Sequence, residues 1–150
     1  MRNRGITVLA ACIGLAGSVS ATGAGMLSAT RPVIAIVADD LFVGEAQGHL
    51  NGAGTLAIKS QRNPALSCLG QFVSSAELGG FGQLECSDGT TATFRFKRLT
   101  VFRNHGIATF SRNPMSFAYG LSAEEAGPYL KLPAGKKLTH NGTELVLVDI

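Results

Sequence analysis

A glycine-headed alternation of apolar and polar residues recurs along this chain and restricts its fold more than any other feature. Asn51-Gly52-Ala53-Gly54-Thr55-Leu56-Ala57-Ile58 is matched by Gly79-Gly80-Phe81-Gly82-Gln83-Leu84-Glu85-Cys86. Arg103-Asn104-His105-Gly106-Ile107-Ala108-Thr109-Phe110 is a looser third copy. A period of two is that of a β-strand with one buried face. Glycine at the strand entry permits positive φ and close backbone approach, as turns and bulges require. The copies begin 24 to 28 residues apart, room for two strands per unit. Three imperfect copies do not define a regular array, so the pattern predicts a meander of hairpins rather than a solenoid. Nineteen glycines and no Trp among 150 residues suit a β-rich fold with many turns.

The clearest single strand is Thr91-Ala92-Thr93-Phe94-Arg95-Phe96-Lys97, with Phe94 and Phe96 on one face and Thr93, Arg95 and Lys97 on the other. Ser87-Asp88-Gly89 before it reads as a turn, in which Asp88 bonds nearby backbone and Gly89 takes the left-handed position. Residues 33–38 are a strand-sized apolar run. One helix is expected from Ala123 to about Leu130. Ser122 caps it in a capping-box pattern with Glu125, and Pro128 shortens or breaks it. Asn141-Gly142 between two alternating segments signals a C-terminal hairpin. The expectation is an all-β fold, a compact antiparallel barrel or two-sheet sandwich of seven to nine short strands with one short helix, preceded by an N-terminal signal helix.

That signal is read at residues 1–21. Arg2 and Arg4 precede an apolar run from Ile6 to Val19, and small residues follow through Ala21. This is the layout of a secretory leader. Two exits are open. Cleavage after Ala21 would use Val19-Ser20-Ala21. Lipid attachment at Cys12 would use Leu9-Ala10-Ala11-Cys12, which has lipobox residue types but a short apolar stretch before it and an apolar one after it. Fourteen residues are too few for a stable membrane span, which takes roughly 20. Residues 22–31 read as a flexible tether, and 32–150 as a single β-rich domain.

Export changes how cysteine and charge are read. Cys68 and Cys86 are an even pair in strand-like contexts, and in an oxidising compartment they are a disulfide candidate. Once Arg2 and Arg4 are set aside, residues 22–150 carry 11 basic and 10 acidic side chains. Nucleic-acid binding by charge needs a clustered excess, so no nucleic-acid partner is expected.

The stretches Cys86-Ser87-Asp88-Gly89, Phe94-Arg95-Phe96, Ser116-Phe117-Ala118-Tyr119-Gly120-Leu121-Ser122 and Tyr129-Leu130-Lys131-Leu132-Pro133, taken with the leader, resemble a group of small uncharacterised exported bacterial proteins, some with lipoprotein leaders. The resemblance covers about residues 32–138. It implies a cell-envelope location in the periplasm or at a membrane, and it carries over no activity and no catalytic residue.

Candidate chemistry is sparse. His49, His105 and His140 have no ligand spacing, so no metal and no cofactor are expected. Asp39 and Asp40 follow an apolar strand, and Glu45 is close by. They support the alternative of a small envelope hydrolase, although no nucleophile-elbow motif is present. Arg95, Lys97, Arg98 and Arg103 form a basic cluster that suits an anionic surface. The leading expectation is a non-enzymatic binding or structural β module of the cell envelope. Its partner would be an envelope component (anionic lipid, glycan or protein), and a lipid on Cys12 would tether it to a membrane.

Overall fold

The computed structural model describes residues 28–75, 77, 79–110 and 113–150. The expected leader, Cys12 and most of the expected tether lie outside them. Eight antiparallel strands close into a barrel in sequential order: β1 (Ser28–Val37), β2 (Asp40–His49), β3 (Ala53–Ser60), β4 (Ser67–Ser75), β5 (Gly79–Cys86), β6 (Thr91–Thr100), β7 (Arg103–Phe110) and β8 (Asn113–Tyr119). β8 returns to pair with β1. A four-residue helix α1 (Ala123–Ala126), a 3₁₀ turn (Gly127–Tyr129) and a separate hairpin of β9 (Lys136–Asn141) and β10 (Glu144–Asp149) complete the chain. The fold is mainly β, as expected, and it is a barrel rather than a sandwich. The two strands of the C-terminal hairpin bring the total to ten.

The repeat explains the meander. Its three copies are β3, β5 and β7, every second strand, so each unit is one strand and its return. Residues 28–31, expected at the end of the tether, belong to β1, where they oppose Ala46–His49 of β2 and satisfy backbone groups there. Pairing of β1 with β8 starts only at Val33, so the missing N–H of Pro32 falls where β8 asks for no donor.

Closure follows from the register. Directly opposed residues run Thr30, Gln47, Thr55, Gln71, Gln83, Thr93, Thr109 and Pro114 across the eight strands. Pro114 then meets Ala38, the residue just after β1, through the Ala38 N–H bond to its carbonyl, so one circuit is displaced by eight residues. Eight strands with that stagger enclose an interior just wide enough for side chains.

The interior is filled by one inward residue set drawn from every strand, including Val33, Ala46, Ile58, Leu84, Phe94, Phe96, Phe110 and Phe117. Phe94 meets Phe117 edge to face at 5.4 Å, and Phe72 meets Phe96 likewise at 5.7 Å. These rings fit because inner-face glycines leave room for them. A Cβ at Gly82 would lie 2.4 Å from Phe94 Cζ, and one at Gly106 would lie 2.5 Å from Phe117 Cζ.

A second core lies outside the barrel. Ile34 and Ile36 of β1, Leu41 of β2 and Ala118 of β8 point outward beneath Leu121, Ala126, Leu130 and Leu145. Hence four consecutive residues, Val33–Ile36, are buried in β1, because this strand has a core on each face. Lys131 N donates to buried Ser116 Oγ at 2.8 Å, and Gln61 Nε2 donates to the Leu145 carbonyl at 3.4 Å. Ser122 caps α1 by accepting from Glu125 N at 3.2 Å. The Glu125 carboxylate pairs with Arg103. The final hairpin turns one residue later than Asn141-Gly142 suggests: Asn141 opposes Glu144, so Gly142 and Thr143 form the loop, with Gly142 at φ 65°.

Candidate functional site

Side chains occupy nearly all of the barrel interior. The residual cavity is about 20 Å³ and is lined mainly by apolar residues such as Phe72, Phe94 and Phe117. That holds one water-sized group, far below the 300–1,000 Å³ of a typical small-molecule site. A larger concave surface lies outside, around the waist.

The waist is built by register. Thr30, Gln47, Thr55, Gln71, Gln83, Thr93 and Thr109 are direct cross-strand neighbours on β1 to β7, and all seven are exposed. All of them line one open groove of about 1310 Å³. The seven form a belt of hydroxyl and amide groups, and the exposed carboxylates Glu45 and Glu85 line the same groove. On one side the belt is flanked by Ala53, Val73, Phe81, Arg95 and Ile107, which oppose one another across β3 to β7. Phe81 is 59% exposed and Ile107 66%. Among the described residues, no helix is long and apolar enough to cross a membrane.

The structure divides the basic cluster. Arg95 and Lys97 are outward and exposed on β6. Arg98 continues the Phe94 and Phe96 face and turns inward, donating from Nη2 to Ser74 Oγ at 2.8 Å. Arg103 is bound to Glu125. Only two of the four cations therefore share a free outer face. Beside Lys97, His105 stacks on Tyr129 with ring centroids 4.1 Å apart. Partial burial and the nearby Lys97 charge lower its pKa below the ordinary histidine value.

Nor are the carboxylates brought together. Asp39 sits with Ala38 in the β1–β2 turn, both at positive φ. Asp40 opens β2 and accepts a short bond from Ser60 Oγ, which in turn accepts from Asn63 N at 3.0 Å. Glu45 is five residues further along β2, about 17 Å at strand rise, and faces solvent. Asp40 thus braces the start of the β3–β4 turn through Ser60. Asp88 does the same in its own turn, where bonds from the Thr90 side chain and backbone hold its pKa below the usual carboxylate range.

Cys68 and Cys86 face each other across β4 and β5 at disulfide distance, with Cα atoms 3.9 Å apart, inside the barrel. The three histidines lie on different strands, and no group of three metal-ligating side chains occurs among the described residues. One polar cluster was not legible as a site: Arg98, Asn104 and Tyr119 at the barrel end where β8 finishes. Compared with protein-family models, curated proteins and solved structures, the chain matches none.

Proposed function

We propose that this chain is an exported cell-envelope protein whose barrel is a non-enzymatic binding module, with its outer waist as the contact surface for an uncharged envelope glycan. The observation that carries this reading is the contrast between the two faces. The interior is packed and leaves about 20 Å³, while the exterior presents seven aligned Thr and Gln side chains along one groove. Hydroxyl and amide groups at strand spacing can exchange hydrogen bonds with successive sugar hydroxyls. The exposed Phe81 offers an apolar face for a sugar ring. The leader at 1–21 and the paired cysteines support an oxidising, extracytoplasmic location. A lipid tether at Cys12 belongs to the same proposal. The hydrolase alternative draws little support, since Asp40 and Glu45 are far apart and each is explained by its place in β2.

The test has two arms. Cell fractionation with intact mass of the mature protein locates it and reports acylation at Cys12; a cytosolic protein retaining Met1 would remove the envelope reading. Retention on insoluble cell-wall polysaccharide is then measured for the wild type and for Gln71→Ala with Gln83→Ala. Loss of two hydrogen-bonding side chains should weaken retention about tenfold. Equal retention of both proteins would rule out the waist. If Arg95→Glu with Lys97→Glu instead abolishes binding to anionic vesicles while the Gln variant binds normally, the partner is an anionic surface and the glycan reading fails.

A further inference from the structure

The inner faces of β6, β7 and β8 end in a polar row. Arg98 opposes Asn104, and Asn104 opposes Tyr119. Directly opposed side chains in an antiparallel sheet have Cβ atoms about 5 Å apart, so Asn104 neighbours both Arg98 and Tyr119, which are two strands apart. Tyr119 is 6% exposed and Asn104 8%. Two groups in the row have no partner, Arg98 Nε and the Tyr119 hydroxyl, and both atoms are buried. A Cβ at Gly48 would lie 3.8 Å from Tyr119 Oη, so the ring reaches across the barrel end to the β2 backbone. Buried donors are nearly always matched by an acceptor, and here none of the described side chains supplies one.

A second cation stands at the same end. Arg31 precedes Val33 by two residues on β1, and Val33 opposes Tyr119. Its guanidinium lies over the Phe102 ring, 5.5 Å from the centroid. Among the described residues, the ion pairs are Arg103 with Glu125 and Lys136 with Asp149, so no carboxylate neutralises Arg31 or Arg98. Burial raises the Tyr119 pKa while Arg31 and Arg98 pull it down, and the net rise keeps the phenol a neutral donor at ordinary pH. The small, mainly apolar cavity reaches Asn104 and Tyr119 at this end and admits one oxygen-sized group; neither arginine lines it.

We propose that Arg31, Arg98, Asn104 and Tyr119 form a binding site for an oxyanion, a carboxylate or phosphate group, with one oxygen accepting from Arg98 Nε and the Tyr119 hydroxyl. The planar guanidinium fork matches such a group, and charge assistance strengthens each bond. The rest of the ligand lies outside the barrel end. This site is inside the barrel rim and is independent of the waist.

Calorimetric titration of the purified protein at low salt tests it, with inorganic phosphate, acetate, and vesicles of phosphatidylglycerol or phosphatidylcholine as probes. Saturable one-site binding is expected for phosphate or acetate, or for phosphatidylglycerol vesicles alone if the group is carried by a lipid. Arg98→Gln and Tyr119→Phe should each weaken it at least tenfold, while Arg95→Gln, outward on the same strand, should bind as the wild type. Tyr119→Phe removes only a hydroxyl, so it decides the matter if Arg98→Gln does not fold. Absence of saturable binding to every anionic probe would mean that water alone fills the space, and the proposal would be overturned. Undiminished binding by Tyr119→Phe would overturn it equally.

Discussion

Gly106 of β7 lies directly opposite Phe117 of β8, and the Phe117 ring occupies the space that any side chain at 106 would need. An added Cβ would also lie 2.0 Å from the Arg95 carbonyl oxygen. Backbone cannot retreat without opening the β6–β7 ladder. Gly106→Ala should therefore destabilise the barrel by about 1–3 kcal/mol or more, the usual range for overpacking. Urea denaturation would measure it. A midpoint equal to that of the wild type would show that the ring is not seated on this glycine.

Ala38 presents the opposite case. It sits in the two-residue β1–β2 turn at φ 47°, followed by Asp39 at φ 66°. Both central residues of such a turn require positive φ. Asp tolerates this region, whereas an alanine Cβ is disfavoured there by roughly 1–2 kcal/mol. Ala38→Gly should raise stability by about 0.5–1 kcal/mol, after the added chain entropy of glycine in the unfolded state is subtracted. A lower denaturation midpoint for the variant would refute the strain argument.

Local pattern was more legible in this sequence than closure. The period of two in Thr91–Lys97, the Asp88-Gly89 turn, the Ser122 cap and the facing of Cys68 and Cys86 all follow from neighbouring residues. The glycine repeat marks alternate strands because a phenylalanine ring from an adjacent strand needs a socket in each. Barrel closure depends on β1 meeting β8 some eighty residues apart, which no local pattern encodes. The waist belt was half visible: Thr55 and Gln83 occupy the same place in the first two copies, but Gln71 and Thr93 join them only through register. Arg98 was readable in principle, since it shares parity with Phe94 and Phe96. Grouping it by charge with Arg95 and Lys97 joined two faces of one strand.

The Cys68–Cys86 pair makes a separable contribution. It joins residues 18 apart in sequence, already paired across β4 and β5. Linking them limits the unfolded chain, worth about 3 kcal/mol in the loop-entropy treatment. Cys68→Ala with Cys86→Ala should lower the unfolding free energy by about that amount, plus a smaller loss from the buried sulfur volume. Thiol titration of the denatured wild type should find neither of these two cysteines free. Two reactive thiols in protein taken from its own compartment would show that the bond is not formed there.

His105 contributes to the pH dependence of stability on the acid side. Burial against Tyr129 and the charge of Lys97 lower its pKa in the folded chain below the ordinary value of 6.5. The unfolded state therefore binds more protons than the folded state as pH falls below that value, and folding stability falls with it. The contribution is complete above about pH 6.5 and is lost as pH descends through the folded-state pKa. The ring is only partly buried, so the effect is small. Following the His105 ring proton by NMR should give a midpoint below 6.5, and Lys97→Gln should move it upward by removing the repulsion while burial still holds it down. A midpoint at or above 6.5 in the wild type would mean that the stacked ring is not desolvated. The loss of stability in mild acid would then have to come from another group.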